Sequence, residues 1–160
     1  MKTNLVKYLF AFLILSTVLS SCSNDDNISN DDNNSNEISV ADEILKLVNE
    51  YRSEKGLKPL IKNNTAEELA IDHTRYMISK GRISHDNGDQ KFKALQEKEN
   101  ATGMAENVAA GQESAQSVVT SWLNSSAGHR ENIEGNYTHI GIAAIKDENG
   151  KYYYTQLFYR

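Results

Sequence analysis

The chain has 160 residues, a formal net charge of −5 from 22 acidic and 17 basic side chains, and one cysteine. The acidic balance excludes a protein that binds nucleic acid through a basic surface, and it excludes docking to anionic lipid by charge alone. A lone cysteine rules out an intramolecular disulfide, so a folded domain in this chain must be stabilised by its own core.

The first 21 residues have the pattern of a secretion signal. Lys2 and Lys7 give a basic start, and an apolar run over residues 8–19 follows. A spanning helix needs about 20 apolar residues, and this run is shorter. A buried N-terminal helix is the alternative, but no polar face interrupts the run. We predict a signal peptide over residues 1–21; its removal takes away two lysines and no acid, which changes the net charge from −5 to −7.

The signal region ends in Leu19-Ser20-Ser21-Cys22, which resembles the bacterial lipobox: an aliphatic residue, two small residues and the cysteine that receives diacylglycerol. An exported protein with one cysteine requires a special use for that thiol. The alternative is an ordinary cleaved signal followed by an incidental thiol. We predict that Cys22 is lipid-modified and anchors the protein to the bacterial outer membrane, on its periplasmic or surface side.

The segment after the cysteine is strongly polar. Residues 23–37 contain one apolar side chain, Ile28, and too little apolar surface to offset the entropy of ordering the chain. We therefore predict a lipidated cysteine and disordered acidic tether over residues 22–38, and a folded domain over residues 39–160.

Within that domain, apolar residues at helical spacing give way to two strand-like runs near the C-terminus. The predicted elements in chain order are a helix from an N-cap at Ser39 to a stop at Gly56, a helix from Thr65 to Gly81 with Glu68 completing a capping box, a helix over 91–99, a helix over 114–124, and strands over 140–145 and 152–158. This order indicates an α+β fold, with helices packed on an antiparallel sheet.

Three polar residues are candidates for chemistry. His85 lies in a loop after a helix stop, Glu106 is flanked by small and apolar residues, and His129 follows the fourth helix. His73 lies on an apolar helix stripe, where a buried structural role is the more common one. The separations between the three candidates match no local metal motif, and the chain contains no nucleophile elbow or phosphate loop. Spacing alone leaves open whether they share a site.

Seven short segments in one order carry a family resemblance. They are residues 47–52, 56–60, 69–73, 83–85, 105–109, 121–133 and 139–143. Together they resemble the CAP superfamily of cysteine-rich secretory and pathogenesis-related proteins, and most closely its disulfide-free bacterial branch. The resemblance covers about residues 41–159, almost the whole predicted domain.

The resemblance implies an α-β-α sandwich with a cleft on the sheet, in which His85, Glu106 and His129 are the functional residues. In some eukaryotic members the paired histidines hold a divalent metal, so His85 and His129 become candidate ligands for zinc. The second glutamate of those members is replaced here by Ser125. A metal held by two imidazoles and at most one carboxylate would bind weakly.

Two functions follow from the resemblance. The first is a monomeric binding module whose cleft takes a small hydrophobic ligand, a divalent metal or a component of the cell envelope. The alternative is a hydrolase, peptidase-like or active on the cell wall, in which Glu106 or His85 acts as general base and His129 polarises the scissile carbonyl.

Overall fold

The structure is a computed structural model that describes the backbone of residues 32–160 and the side chains of residues 40–160. Its five helices in this range are α1 Asp32–Glu54, α2 Asn64–Lys80, α3 Gly88–Glu99, α4 Ala115–Asn124 and α5 His129–Glu134. Its four strands are β1 Ile61–Lys62, β2 Met104–Ala110, β3 His139–Lys146 and β4 Tyr152–Tyr159.

The four strands form one sheet in the order β1-β3-β4-β2. The hairpin of β3 and β4 is its centre, β1 runs parallel to β3, and β2 pairs antiparallel with β4. In the pairing of β2 with β4, Glu106 lies opposite Leu157, and Asn107 lies opposite Gln156. Since side chains alternate along a strand, these neighbouring residues of β2 point to opposite faces of the sheet.

Helices cover both faces, which confirms the predicted α-β-α sandwich. On one face α2 packs its small residues Ala66 and Ala70 against β3 and β4, and Leu95 of α3 joins the same apolar cluster. On the other face α1, α4 and α5 enclose the larger cluster around Trp122 and Phe158. The sheet is therefore buried between two apolar layers, as an α+β fold requires.

Several predicted boundaries are confirmed by the caps. Gly81 ends α2 in the left-handed conformation that only glycine adopts without strain, with a φ of 65°. Ser114 caps α4, and Ser117 completes a reciprocal capping box. The strands over 140–145 and 152–158 lie within β3 and β4.

Three predicted helix starts are wrong, including that of the third helix, which begins at Gly88 and not at Lys91. The first helix begins at Asp32 and not at Ser39; an N-cap preference of about 1 kcal/mol does not stop a helix that continues upstream. The second helix is capped by Asn63 and not by a box of Thr65 and Glu68. Asn63 Oδ1 accepts a hydrogen bond from the amide of Ala66 at 2.9 Å.

The helix α1 overlaps the segment that was predicted as a tether. Residues 32–38, predicted as part of the tether, are helical in the structure. The signal peptide, Cys22 and the rest of the tether lie outside the described residues, so their assignment stays a prediction. Among the helices of residues 32–160, none has the length and apolar composition needed to cross a membrane.

Candidate functional site

The candidate site is built around Glu106, in the strand β2 at one edge of the sheet. Its side chain is only 6% exposed although it carries a carboxylate. Such burial is tolerated when the charge is paired and hydrogen-bonded. Three side chains surround it: His85 at 2.8 Å and His73 at 3.6 Å from Oε1, and Lys91, which forms an ion pair with Oε2.

His85 lies in the loop between α2 and α3 and is held there by α2. Its Nδ1 donates to Glu106 Oε1, while its side chain remains 60% exposed. The residue before it, Ser84, is fixed at both backbone groups: its carbonyl accepts from His73 Nε2 at 2.8 Å, and its amide donates to the sulfur of Met77. The loop geometry therefore sets where the exposed imidazole lies.

His73 is a buried positioning residue, as its place on the apolar stripe predicted. A backbone carbonyl can only accept, so Nε2 of His73 carries a proton and donates it to Ser84. Burial lowers the pKa of His73 and outweighs the opposing influence of Glu106. A neutral imidazole at this position anchors the loop that carries His85.

Lys91 is the one member of the cluster that the motif argument did not identify. It lies in the first turns of α3, is 5% exposed, and shares the buried face of that helix with Leu95. Burial lowers its pKa, and the ion pair with Glu106 opposes that shift. A lysine four residues before a buried leucine on one helix face was the available sequence signal.

His129 begins α5 on the opposite face of the sheet from α2. Its Nδ1 lies 2.9 Å from the hydroxyl of Ser125, which also accepts from the amide of Ala127. Ser125 thus contacts the second histidine directly, at the position where the family pattern has an acid. Burial lowers the pKa of His129, and the nearby charge of His85 lowers it further.

Asn107 fixes the position of α5. Its amide donates to the carbonyl of His129 at 3.1 Å and to Gln156 at 3.0 Å, and its Oδ1 accepts from Asn132 at 2.9 Å. Asn132 also donates to the backbone carbonyl of Glu106. This buried amide network joins the start of α5 to the strand that carries Glu106, which explains why Glu and Asn stand side by side in the sequence.

A small recess adjoins the cluster between α2 and α3. It has a volume of about 130 Å³, and its lining residues are Leu69, Asp72, His73, Tyr76, Asn87 and Lys91. The fourth histidine, His139, is not part of the cluster; it stacks on Tyr159 at 4.9 Å and contacts the hydroxyl of Thr138.

The donor set fits a resident divalent metal poorly. Among residues 40–160, no three or more histidine, cysteine, aspartate or glutamate side chains are arranged to hold a metal ion. Glu106 already pairs with Lys91. Glu134, the last residue of α5, accepts a hydrogen bond from the hydroxyl of Tyr51. The zinc site that the resemblance implied would rest on two imidazoles.

The sequence of the chain matches a known protein family. The family model described as "CAP: Cysteine-rich secretory protein family" matches residues 45–158. The uncharacterized protein YkwD of Bacillus subtilis is 32% identical over 110 residues, which are 65% of this chain and 42% of that protein. The chain thus spans less than half the length of this relative.

Three solved structures share the fold. An extracellular protein with an SCP domain from Bacillus anthracis has a TM-score of 0.70 and 28% identity, covering 83% of this chain and 44% of its own. An outer surface protein from Borrelia burgdorferi has a TM-score of 0.66 and 22% identity, covering 73% and 89%. A cysteine-rich secretory protein from Staphylococcus aureus has a TM-score of 0.63 and 23% identity, covering 77% and 38%.

Proposed function

Since the chain belongs to the cysteine-rich secretory protein family, we propose that it is an envelope-anchored binding module whose cleft takes a ligand between His85 and His129. Two of its structural neighbours are, by their descriptions, an extracellular protein and an outer surface protein. An exported location agrees with both descriptions and with the predicted signal peptide.

One observation carries the proposal. Each of the two imidazoles uses Nδ1 for a protein partner, Glu106 for His85 and Ser125 for His129. Among the described residues, this leaves both Nε2 atoms without a hydrogen-bond partner. Side chains held in place by packing, with an unused polar atom, are the usual components of a ligand site.

The arrangement favours binding over catalysis. Glu106 is enclosed by Lys91 and two imidazoles, so both oxygens of its carboxylate already have partners within the protein. Ser125, where a second acid would stand, is occupied by His129 and the amide of Ala127. The cluster holds His85 and His129 in fixed positions, and at position 125 it has a serine where a catalytic site of this pattern would have a second acid.

The binding proposal is tested with soluble cell-wall fragments and short peptides as probes. We expect saturable shifts in the imidazole NMR signals of His85 and His129. In His85→Ala the signal of His129 should no longer shift, and in His129→Ala the signal of His85 should no longer shift. His139→Ala is the matched control and should bind as the wild type does. If saturating probes move no signal of either cleft histidine, the binding module proposal fails for these ligand classes.

Hydrolysis is the second candidate, and one contact favours it. A carboxylate that accepts from Nδ1 of His85 selects the tautomer in which Nε2 can take a proton from an attacking water. We expect mass spectrometry of peptide and cell-wall fragments to detect cleavage that Glu106→Gln abolishes, if this function exists. Intact substrates with both proteins would contradict it.

The anchor is tested separately through Cys22. We propose that the mature protein carries a diacylglycerol there, since the residues before it resemble a lipobox. In bacteria grown with an alkyne-labelled fatty acid, the wild-type chain should become labelled and remain with the membrane fraction. Cys22→Ser should lose the label, and a labelled Cys22→Ser protein would contradict lipidation at this residue.

A further inference from the structure

The ion pair of Lys91 and Glu106 determines what the cleft can accept. Both side chains are 6% exposed. A buried charge without a partner is strongly unfavourable, so separating the two groups would destabilise the fold. Lys91 is therefore a fixed internal counter-charge for Glu106, and this holds in the free protein before any ligand arrives.

Both oxygens of the Glu106 carboxylate have partners within the protein. Oε2 is taken by the ammonium group of Lys91, and Oε1 accepts from His85 at 2.8 Å with His73 at 3.6 Å. A divalent cation is held by oxygen and nitrogen atoms whose lone pairs are free, and it gains most where negative charge is uncompensated. Here the negative charge has already been neutralised by the protein itself.

The same pair fixes the hydrogen-bonding character of His85. Because the carboxylate is acceptor-only, Nδ1 of His85 carries a proton, and in the tautomer that this contact selects Nε2 is an acceptor. An acceptor is satisfied by an O–H or N–H group. The exposed imidazole is thus prepared for a ligand that donates a hydrogen bond.

From these contacts we propose that Lys91 is a specificity-determining residue: it keeps a divalent cation out of the cleft and leaves His85 to recognise a neutral ligand through an O–H or N–H group. The inference rests on the proposed binding function, because it concerns the ligand class of the same cleft. It predicts that removing the positive charge of Lys91 converts a site that rejects metal into one that accepts it.

Calorimetric titration with Zn²⁺ alone tests the inference on the purified full chain. The wild type should show no site with a Kd below about 10 μM that depends on His85. In Lys91→Met, which replaces the charge by an unbranched apolar side chain one atom shorter, the affinity for zinc should rise at least about tenfold. The gain should disappear in Lys91→Met/His85→Ala. Lys98→Met removes an exposed lysine from the same helix and should behave as the wild type does.

The titration of the wild type can overturn the inference even if Lys91→Met does not fold. A zinc site in the wild type that is tighter than about 10 μM and is lost in His85→Ala overturns the inference. So does a folded Lys91→Met protein whose zinc affinity equals that of the wild type. The binding proposal fails independently, through probes that leave the cleft histidines unshifted, so the two failures are distinguishable.

Discussion

Among single residues, Glu106 and Asn107 both contact histidines: Glu106 contacts His85, and Asn107 contacts His129. They are neighbours in β2, and their side chains point to opposite faces of the sheet. Glu106 holds the imidazole of His85 on the face of α2, while Asn107 holds the backbone of His129 on the face of α5. One edge strand therefore positions both histidines.

Asn107→Ala should lower the free energy of unfolding by about 1–3 kcal/mol. The change leaves the carbonyl of His129 and the side chains of Gln156 and Asn132 without their amide partner in a buried place. Urea unfolding measures the loss. Asn124→Ala, at an exposed position near the end of α4, is the control and should change stability by less than about 0.5 kcal/mol. Equal stability of the two variants would contradict the structural role of the network.

Some of the site was predictable from the sequence and some was not. The small and apolar neighbours of Glu106 correctly indicated burial, and His73 is buried as its helix stripe indicated. Lys91 was missed because a lysine in a polar helix normally faces solvent, and only the buried acid across from it makes its burial favourable. Pairing across distant segments leaves little local signal.

At the scale of elements, the close approach of α2 to the sheet fixes the loop that carries His85. Gly141 in β3 lies directly beneath the start of α2, and a Cβ at this position would overlap the backbone of Ala66 and Glu67. A glycine at this point lets helix and strand backbones come into contact. The depth at which α2 sits then sets the positions of His73 and the loop.

Gly141→Ala should destabilise the protein by at least about 2 kcal/mol, since backbone atoms of α2 cannot move aside as a flexible side chain could. Thermal unfolding followed by circular dichroism provides the measurement. Gly88→Ala is the matched control, because nothing lies within 4 Å of the added methyl group. Finding that both variants unfold at the wild-type temperature would show that α2 is not seated as described.

The elements that sequence patterns revealed are the ones with strong local signals. The hairpin of β3 and β4 has long apolar runs around a turn, and α2 and α4 have clear apolar stripes. The strand β2 was not predicted, because Val108 is its single strand-forming residue among Met, Ala, Glu and Asn. The six-residue helix α5 is too short to show a period.

At the scale of the whole molecule, buried histidine makes stability depend on pH. The pKa of His73 is lowered by burial, so the unfolded chain takes up a proton at a higher pH than the folded chain does. Stability is therefore lost as the pH falls through the unfolded value of about 6.5, by at most about 1.4 kcal/mol per pH unit for this group. His129 shifts in the same direction.

Urea unfolding between pH 7.5 and pH 5 checks this dependence. The wild type should lose stability as the pH falls, and His73→Gln, which cannot titrate but can still donate to Ser84, should show a shallower slope. A wild-type stability that stays constant or rises toward pH 5 would contradict the burial of a neutral imidazole at this position.

Glu106 holds His85 and contacts His73, and we propose that this cluster presents one imidazole to a ligand. Nitrogen-15 NMR of the histidine side chains in the wild type and Glu106→Gln tests it most directly. We expect His85 with a protonated Nδ1 in the wild type, and shifts of both His85 and His73 in the variant, while His139 is unchanged. Identical His85 and His73 signals in the two proteins would show that Glu106 does not hold these two imidazoles.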